Sequence, residues 1–231
     1  MKCNFPNLDE FEKKINENSY SDVDRELLYE VLKDQNTNIN LSELSSSNLE
    51  SVKNKKTFTI TTGHQLCLFT GPLYFIYKIV SAINLSNKLK KTYPSYNFVP
   101  LFWLASEDHD FEEVSSINLF QNNIKWNASS GGPVGRMSLI GVEGLISQIT
   151  DLISPNDNSS KIIDLLKSSY RPEFNLAEAT RNIINSLFGK YGILIIDGDD
   201  KRLKEKIVDI IDEDINQNTF LKIIEKTNAK I

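Results

Sequence analysis

Histidine, cysteine, methionine and tryptophan each occur only twice in 231 residues, and that scarcity narrows the chemistry open to the chain. Cys3 and Cys67 are far apart and fall in no metal-ligand or redox spacing, which argues against a zinc ribbon or dithiol motif and leaves a reducing cytosol as the simplest compartment. No apolar run approaches the roughly 20 residues that span a bilayer, and no basic-then-apolar signal opens the chain, so no membrane partner is expected. Excess positive charge is missing too. A net charge of −5 offers no basic stripe for phosphates, and no nucleic-acid partner is expected. Neither the Gly-x-x-x-x-Gly-Lys phosphate loop nor the Gly-x-Gly-x-x-Gly dinucleotide fingerprint occurs. There are no internal repeats.

What remains is ordinary globular material, 40% hydrophobic and 25% charged, enough for one large domain or two small ones. Residues 1–56 read as a polar, mostly helical lead-in. Leu27, Leu28, Val31 and Leu32 form an apolar stripe, Leu41 to Ser51 reads as a polar linker, and Lys53, Lys55 and Lys56 as a solvated edge. From residue 57 the pattern turns to α/β. Phe58 to Thr61 is a short β-branched strand. Leu73 to Lys91 is a helix with Ile76, Tyr77, Val80, Ile83 and Leu89 on one face. Pro72 suits its first position and Thr70 or Gly71 its N-cap. Phe98 to Leu104 is the continuous apolar run of a buried parallel strand.

A second unit follows, with Phe174, Asn175 and Glu178 starting a helix to Phe188. Gly189 and Gly192 end it, Ile193 to Ile196 form a buried strand finishing at Asp197, and Lys201 to Asp212 form another helix. The expectation is a core over 57–231 with an insertion at about 115–169. GGPVGRM in that insertion reads as a turn leading into a short strand. Phe220 to Ile231 has helical periodicity but ends on an apolar residue without a cap, which suggests a polypeptide that stops short of its partner elements.

The two histidines sit in the two densest polar motifs, each expected just beyond a strand end, where parallel sheets form their ligand crevice. In TTGHQLCLFTGPLY, a helix N-terminus at Thr70, Gly71 and Pro72 would suit a phosphate or carboxylate, with Thr62, Gly63, His64 and Gln65 beside it. A plain strand–turn–helix corner explains the pattern equally well. In SEDHDFEE, Glu107, Asp108, His109 and Asp110 could hold a divalent metal, receive an ammonium group or supply a general base. Glu112 and Glu113 fit better as helix-capping charge, and no set of metal ligands is assigned. Arg136 is an anion-clamp candidate, or a surface arginine. Cys67 reads as a packing thiol, and Trp103 and Trp126 as core or pocket wall.

TTGHQLCLFTGPLYFIYK, VPLFWLASEDHDFEE, GPVGRM and NLAEATRNIINSLFGKYGILIID, in that order, resemble the bacillithiol biosynthesis cysteine-adding enzyme family from about Thr57 to Lys206. Many members carry Gln-Gln where this chain has His64-Gln65, which makes His64 a variant position. The resemblance implies a Rossmann-like core similar to nucleotidyltransferases and to class I aminoacyl-tRNA synthetases. The implied activity joins cysteine to glucosaminyl malate through an amide, with ATP and Mg²⁺ as expected cofactors and an adenylate as the expected activated form. It also implies a longer protein that dimerises through a C-terminal coiled coil, absent from this chain. Alternatives are a metal-dependent nucleotidyltransferase or hydrolase of other specificity, and an inactive fragment.

Overall fold

The computed structural model describes residues 8–16, 23–128 and 131–229; Cys3 and Ile231 lie outside them. The lead-in holds α1 (Asp9–Asn16), α2 (Arg25–Gln35) and α3 (Glu43–Ser51). Asp24 caps α2 by accepting the Leu27 N–H at 3.1 Å. The expected linker at Leu41 to Ser51 is instead the helix α3. Serine has little intrinsic preference for helix, but here tertiary bonds hold it. Ser42 accepts the Ser45 N–H at 3.0 Å. The Ser45 hydroxyl lies 2.9 Å from the Gly189 carbonyl and 3.1 Å from that of Ile193, and Asn48 donates to the Gly192 carbonyl at 2.6 Å.

The sheet begins with β1 (Thr57–Gln65), crosses through α4 (Leu73–Thr92) and returns as β2 (Asn97–Ala105). After β2 come α5 (Phe111–Val114), a hairpin of β3 (Ser116–Leu119) and β4 (Asn122–Lys125), then α6 (Val142–Leu152), α7 (Asp157–Ser169) and α8 (Leu176–Phe188). The chain then re-enters the sheet as β5 (Leu194–Asp197) and leaves through α9 (Lys201–Glu205), α10 (Val208–Gln217) and α11 (Thr219–Asn228). Strands pair in the order β1-β2-β5, all parallel. This is the α/β, Rossmann-like arrangement expected.

Alternation along β2 and β5 assigns the two faces. Val99, Leu101, Leu194 and Ile196 pack on Val31 and Leu32 of α2 and Leu49 of α3. Phe102, Leu104, Ile193 and Ile195 face the larger core with Phe75, Ile79 and Ile83 of α4 and the apolar sides of α6, α7 and α8. Val31 and Leu32 are fully buried, each stabilising the fold by about 2 kcal/mol. Helices α2 and α3 of the lead-in therefore form the second layer on the sheet.

Three local expectations change. The buried face of α4 runs through Phe75, Ile79, Ala82, Ile83 and Leu89, while Tyr77 is 59% exposed. Apolar residues ring the start of this helix, so periodicity could not select the face that the sheet selects. The helix expected over Lys201 to Asp212 is broken. Lys206 and Ile207 donate to Leu203 and Lys204, each at 3.1 Å, and these tight i→i+3 closures end α9. GGPVGRM forms a 3₁₀ turn at Val134–Arg136, and the strand expected after it is a single bridge between Ser138 and Asn175. The capping box of α8 forms as expected, Asn175 and Glu178 bonding each other's backbone N–H at 2.9 and 2.8 Å.

Candidate active site at the strand ends

Because all three strands are parallel, Gln65, Ala105 and Asp197 finish at one edge. The loops that follow them meet there, which is where α/β sheets place ligands. β1 is longer than expected, and Thr62, Gly63, His64 and Gln65 are its last residues rather than a turn beyond it. An added Cβ on Gly63 would meet the Trp103 carbonyl of the neighbouring strand at 3.0 Å. Thr62 faces a groove of about 350 Å³ shared with Tyr74, Tyr77 and Lys78.

Gln65 is the hinge between the two motifs. Its Nε2 donates to Asp108 Oδ2 and to Glu113 Oε2, both at 2.7 Å. Asp108 Oδ1 also accepts the Asp110 N–H at 3.0 Å, and Asp110 caps α5 by accepting the Glu113 N–H at 3.2 Å. The Asp110 N–H, then the Gln65 amide, hold the Asp108 carboxyl below its ordinary range. Glu107, His109 and Asp110 are exposed around it. Glu113, expected to be helix-capping charge, therefore also faces the site through Gln65.

The two histidines have different surroundings. His64 packs between β1 and α4, its ring centroid 5.6 Å from Phe75 and 6.3 Å from Tyr74. Its Nδ1 lies 3.0 Å from the Gln65 carbonyl and 3.9 Å from Cys67 Sγ. Burial, then the Glu113 charge, push the Cys67 thiol up, as suits a packing cysteine.

The helix-terminus site at Thr70, Gly71 and Pro72 has fewer free donors than expected. Phe69 and Thr70 take left-handed backbone, φ 52 and 76. The Phe69 N–H donates to the buried Tyr170 hydroxyl at 2.7 Å, and the Gly71 N–H to the Leu68 carbonyl at 2.8 Å. Pro72, expected inside the helix, is its N-cap in extended conformation and has no N–H to offer.

Arg136 reaches the same edge from the other side. The Val134 N–H donates to the Asp108 carbonyl at 2.7 Å and the Gly135 N–H to that of Ser106 at 2.9 Å. This staples the 3₁₀ turn onto the loop after β2. An added Cβ on Gly135 would overlap Ser106, so glycine is required for the approach. Arg136 Nε then bonds Asp199 Oδ2 at 2.6 Å, and Lys204 bonds the other Asp199 oxygen. Burial works to raise the Asp199 carboxyl, but hydrogen bonds from Arg136 and Lys204 bring it below the usual range.

Sequence reasoning missed the third side of the edge. Asp197 ends β5 and Asp199 and Asp200 follow it, with Asp197 accepting from the Ser106 hydroxyl and from the Asp199 N–H at 2.9 Å. Gly198 packs so closely on the Trp103 indole that a Cβ there would overlap it. The signal was IIDGDD, an acidic run behind a buried strand, the same pattern that drew attention to WLASEDHD. Gln35 of α2, which bonds the Asp197 backbone N–H at 2.7 Å and carbonyl at 3.1 Å, carried no such signal.

The profile of the family described as "Bacillithiol biosynthesis BshC, N-terminal Rossmann-like domain" matches residues 1–231. The chain belongs to the BshC family. Its BshC relatives include one from Flavobacterium psychrophilum, 45% identical over 225 residues, and one from Flavobacterium johnsoniae, 44% identical over the same length. Both alignments cover 96% of this chain and 42% of the relative. A third, from Chlorobaculum tepidum, is 34% identical across 81% of this chain and 35% of its own length. All three are named "Putative cysteine ligase BshC". The chain thus spans less than half the length of these BshC relatives.

Among the described residues no three His, Cys, Asp or Glu side chains gather closely enough to hold a metal ion. Asp108 and Glu113 converge on the Gln65 amide, a donor that occupies the place a cation would need. As arranged, these carboxylates do not fit a bound metal, and no role for one is derived from them.

Proposed function

We propose that this chain forms the Rossmann-like part of a ligase that joins the carboxyl group of cysteine to the amine of glucosaminyl malate, giving bacillithiol. The match of the BshC profile to residues 1–231 carries the reading. ATP is the activating co-substrate, with Mg²⁺ arriving on its phosphates, and the reaction belongs in the cytoplasm. The cysteine carboxylate attacks the α-phosphate and pyrophosphate leaves. The glucosamine nitrogen then attacks the acyl carbon, AMP departs with the C–O electron pair, and a base takes the nitrogen's proton.

The geometry supports a division of roles. Asp108, held ionised by the Asp110 N–H and Gln65, is a weak base but a good receiver for the cysteine ammonium group. The exposed Glu107, His109 and Asp110 are the candidates for proton removal. Arg136, and to a lesser degree the start of α4, are the candidates for phosphate or malate carboxylates. In this reading the remainder of the site comes from the part of the longer protein beyond the aligned residues.

The test is to incubate the Flavobacterium psychrophilum relative with cysteine, glucosaminyl malate and ATP and to look for bacillithiol by mass. Product should form, and placing Asn at the position aligned with Asp108 should cut the rate at least tenfold. No product overturns the ligase reading. Product at an unchanged rate overturns the role of Asp108.

A further inference from the structure

We infer that Arg136 and Lys204 together form a two-cation anion site at the strand ends, oriented by the buried carboxylate of Asp199 between them. The inference rests on the proposed function for its biological ligand but not for its geometry. Asp199 has a side chain only 8% exposed, and both of its oxygens are engaged by cations from different elements. Arg136 comes from the 3₁₀ turn after β4, and Lys204 from α9 after β5. Their side chains are 66% and 46% exposed. The two positive charges therefore lie outward of the single negative charge that fixes them.

The other carboxylates at this edge have their own partners. Asp200 is held by Arg202, at 2.8 Å to one guanidinium nitrogen and 3.1 Å to Nε. Asp197 accepts from Ser106 and the Asp199 backbone, and Asp108 from Gln65 and the Asp110 backbone. Asp197 also lies close enough to act on the Arg136 charge, but Asp199 is the carboxylate that bonds both cations.

Arg136 engages Asp199 through Nε. A guanidinium has five N–H donors in a fixed fork, so its two terminal nitrogens can take a bidentate anion without that bond breaking. Gly135 is pressed onto Ser106, which fixes where the arginine leaves the backbone. The ion pair thus ties the loop after β2 to the loop after β5 across the mouth of the crevice. The matching ligand is a compact, multiply charged oxyanion, either a diphosphate group or a dicarboxylate such as malate.

Titration calorimetry on this 231-residue chain, with inorganic pyrophosphate in one arm and malate in the other, tests the site and separates the two sources. At least one should bind, more weakly as salt rises. Arg136→Ala and Lys204→Ala should each weaken it about tenfold, the loss of a charge-assisted hydrogen bond, with circular dichroism unchanged. No binding of either anion, or binding that survives the double substitution, overturns the proposal. Failure of the ligase reading looks different: the anion binds through Arg136 and Lys204, yet the longer relative makes no bacillithiol.

Discussion

Replacing Gln35 with Ala should destabilise the protein far more than a helix-end glutamine ordinarily would. Gln35 closes α2, and its side-chain amide lies against β5, at the edge of the sheet away from β2. Its Oε1 accepts the Asp197 N–H at 2.7 Å, and its Nε2 donates to the Asp197 carbonyl at 3.1 Å. The side chain behaves as one peptide unit of a missing neighbouring strand. The same Oε1 also accepts from Arg181 at 3.3 Å, a guanidinium that burial pushes below its ordinary range. Alanine leaves four groups without this partner: the Asp197 N–H and carbonyl, one Arg181 nitrogen, and Asp200 Oδ2, which keeps its bond to Arg202. At about 1 kcal/mol for each of the first three the cost is about 3 kcal/mol, whereas the difference in helix propensity is worth only a few tenths. Gln35→Glu keeps the acceptor beside Arg181 but sets a carboxylate oxygen against the Asp197 carbonyl and Asp200 Oδ2, so it should cost about 2 kcal/mol at neutral pH. Urea unfolding followed by far-UV circular dichroism measures both. A cost below about 0.5 kcal/mol for Gln35→Ala would refute the edge-mimic reasoning, as would equal costs for the two variants.

Gly135→Ala should lower the melting temperature, because its Cβ would overlap Ser106 and either the turn or the loop after β2 must move, at about 1–3 kcal/mol; an unchanged melt would show that the loops are not stapled. The folded Asp199 carboxyl lies below its ordinary range, so its contribution to stability is present above the unfolded value of roughly 3.9 and is lost as pH falls through the folded value. Asp199→Asn should accordingly flatten the acid limb of stability against pH, and a limb of unchanged slope would refute this. Cys67, its thiol pushed up by burial and then by Glu113, should react with an aromatic disulfide reagent more slowly than free cysteine at neutral pH, measured in a Cys3→Ser background. A rate equal to that of the free thiol would contradict the packing role.

The parts of the fold legible in the sequence were those where local chemistry and tertiary need agree. The run Phe98 to Leu104 reads as a doubly buried strand because both of its faces are covered, and Asn175 with Glu178 reads as a helix start because a capping box is local. α3 was not legible, since its serines are held by carbonyls of residues 189 to 193, far away in the chain. The buried face of α4 was hidden for the opposite reason, an excess of apolar residues. At the site, Asp108, His109 and Arg136 stood out by chemical type. Of their uncharged organisers, Gln65 and Ser106 lie within the two polar motifs, whereas Gln35, on α2, has nothing in its immediate neighbours that announces what it bonds.

The packing of Trp103 against Gly198 gives the protein an internal optical probe. The chain has two indoles. Trp126 is sealed in the core, while Trp103 is part-exposed and rests on the backbone between Asp197 and Asp199. A ligand that shifts the loop after β5 changes the polarity around Trp103, whereas Trp126 packs on Phe111 of α5 at 5.4 Å and answers to the other side of the crevice. The emission spectrum of the unlabelled protein therefore reports on occupancy of the crevice.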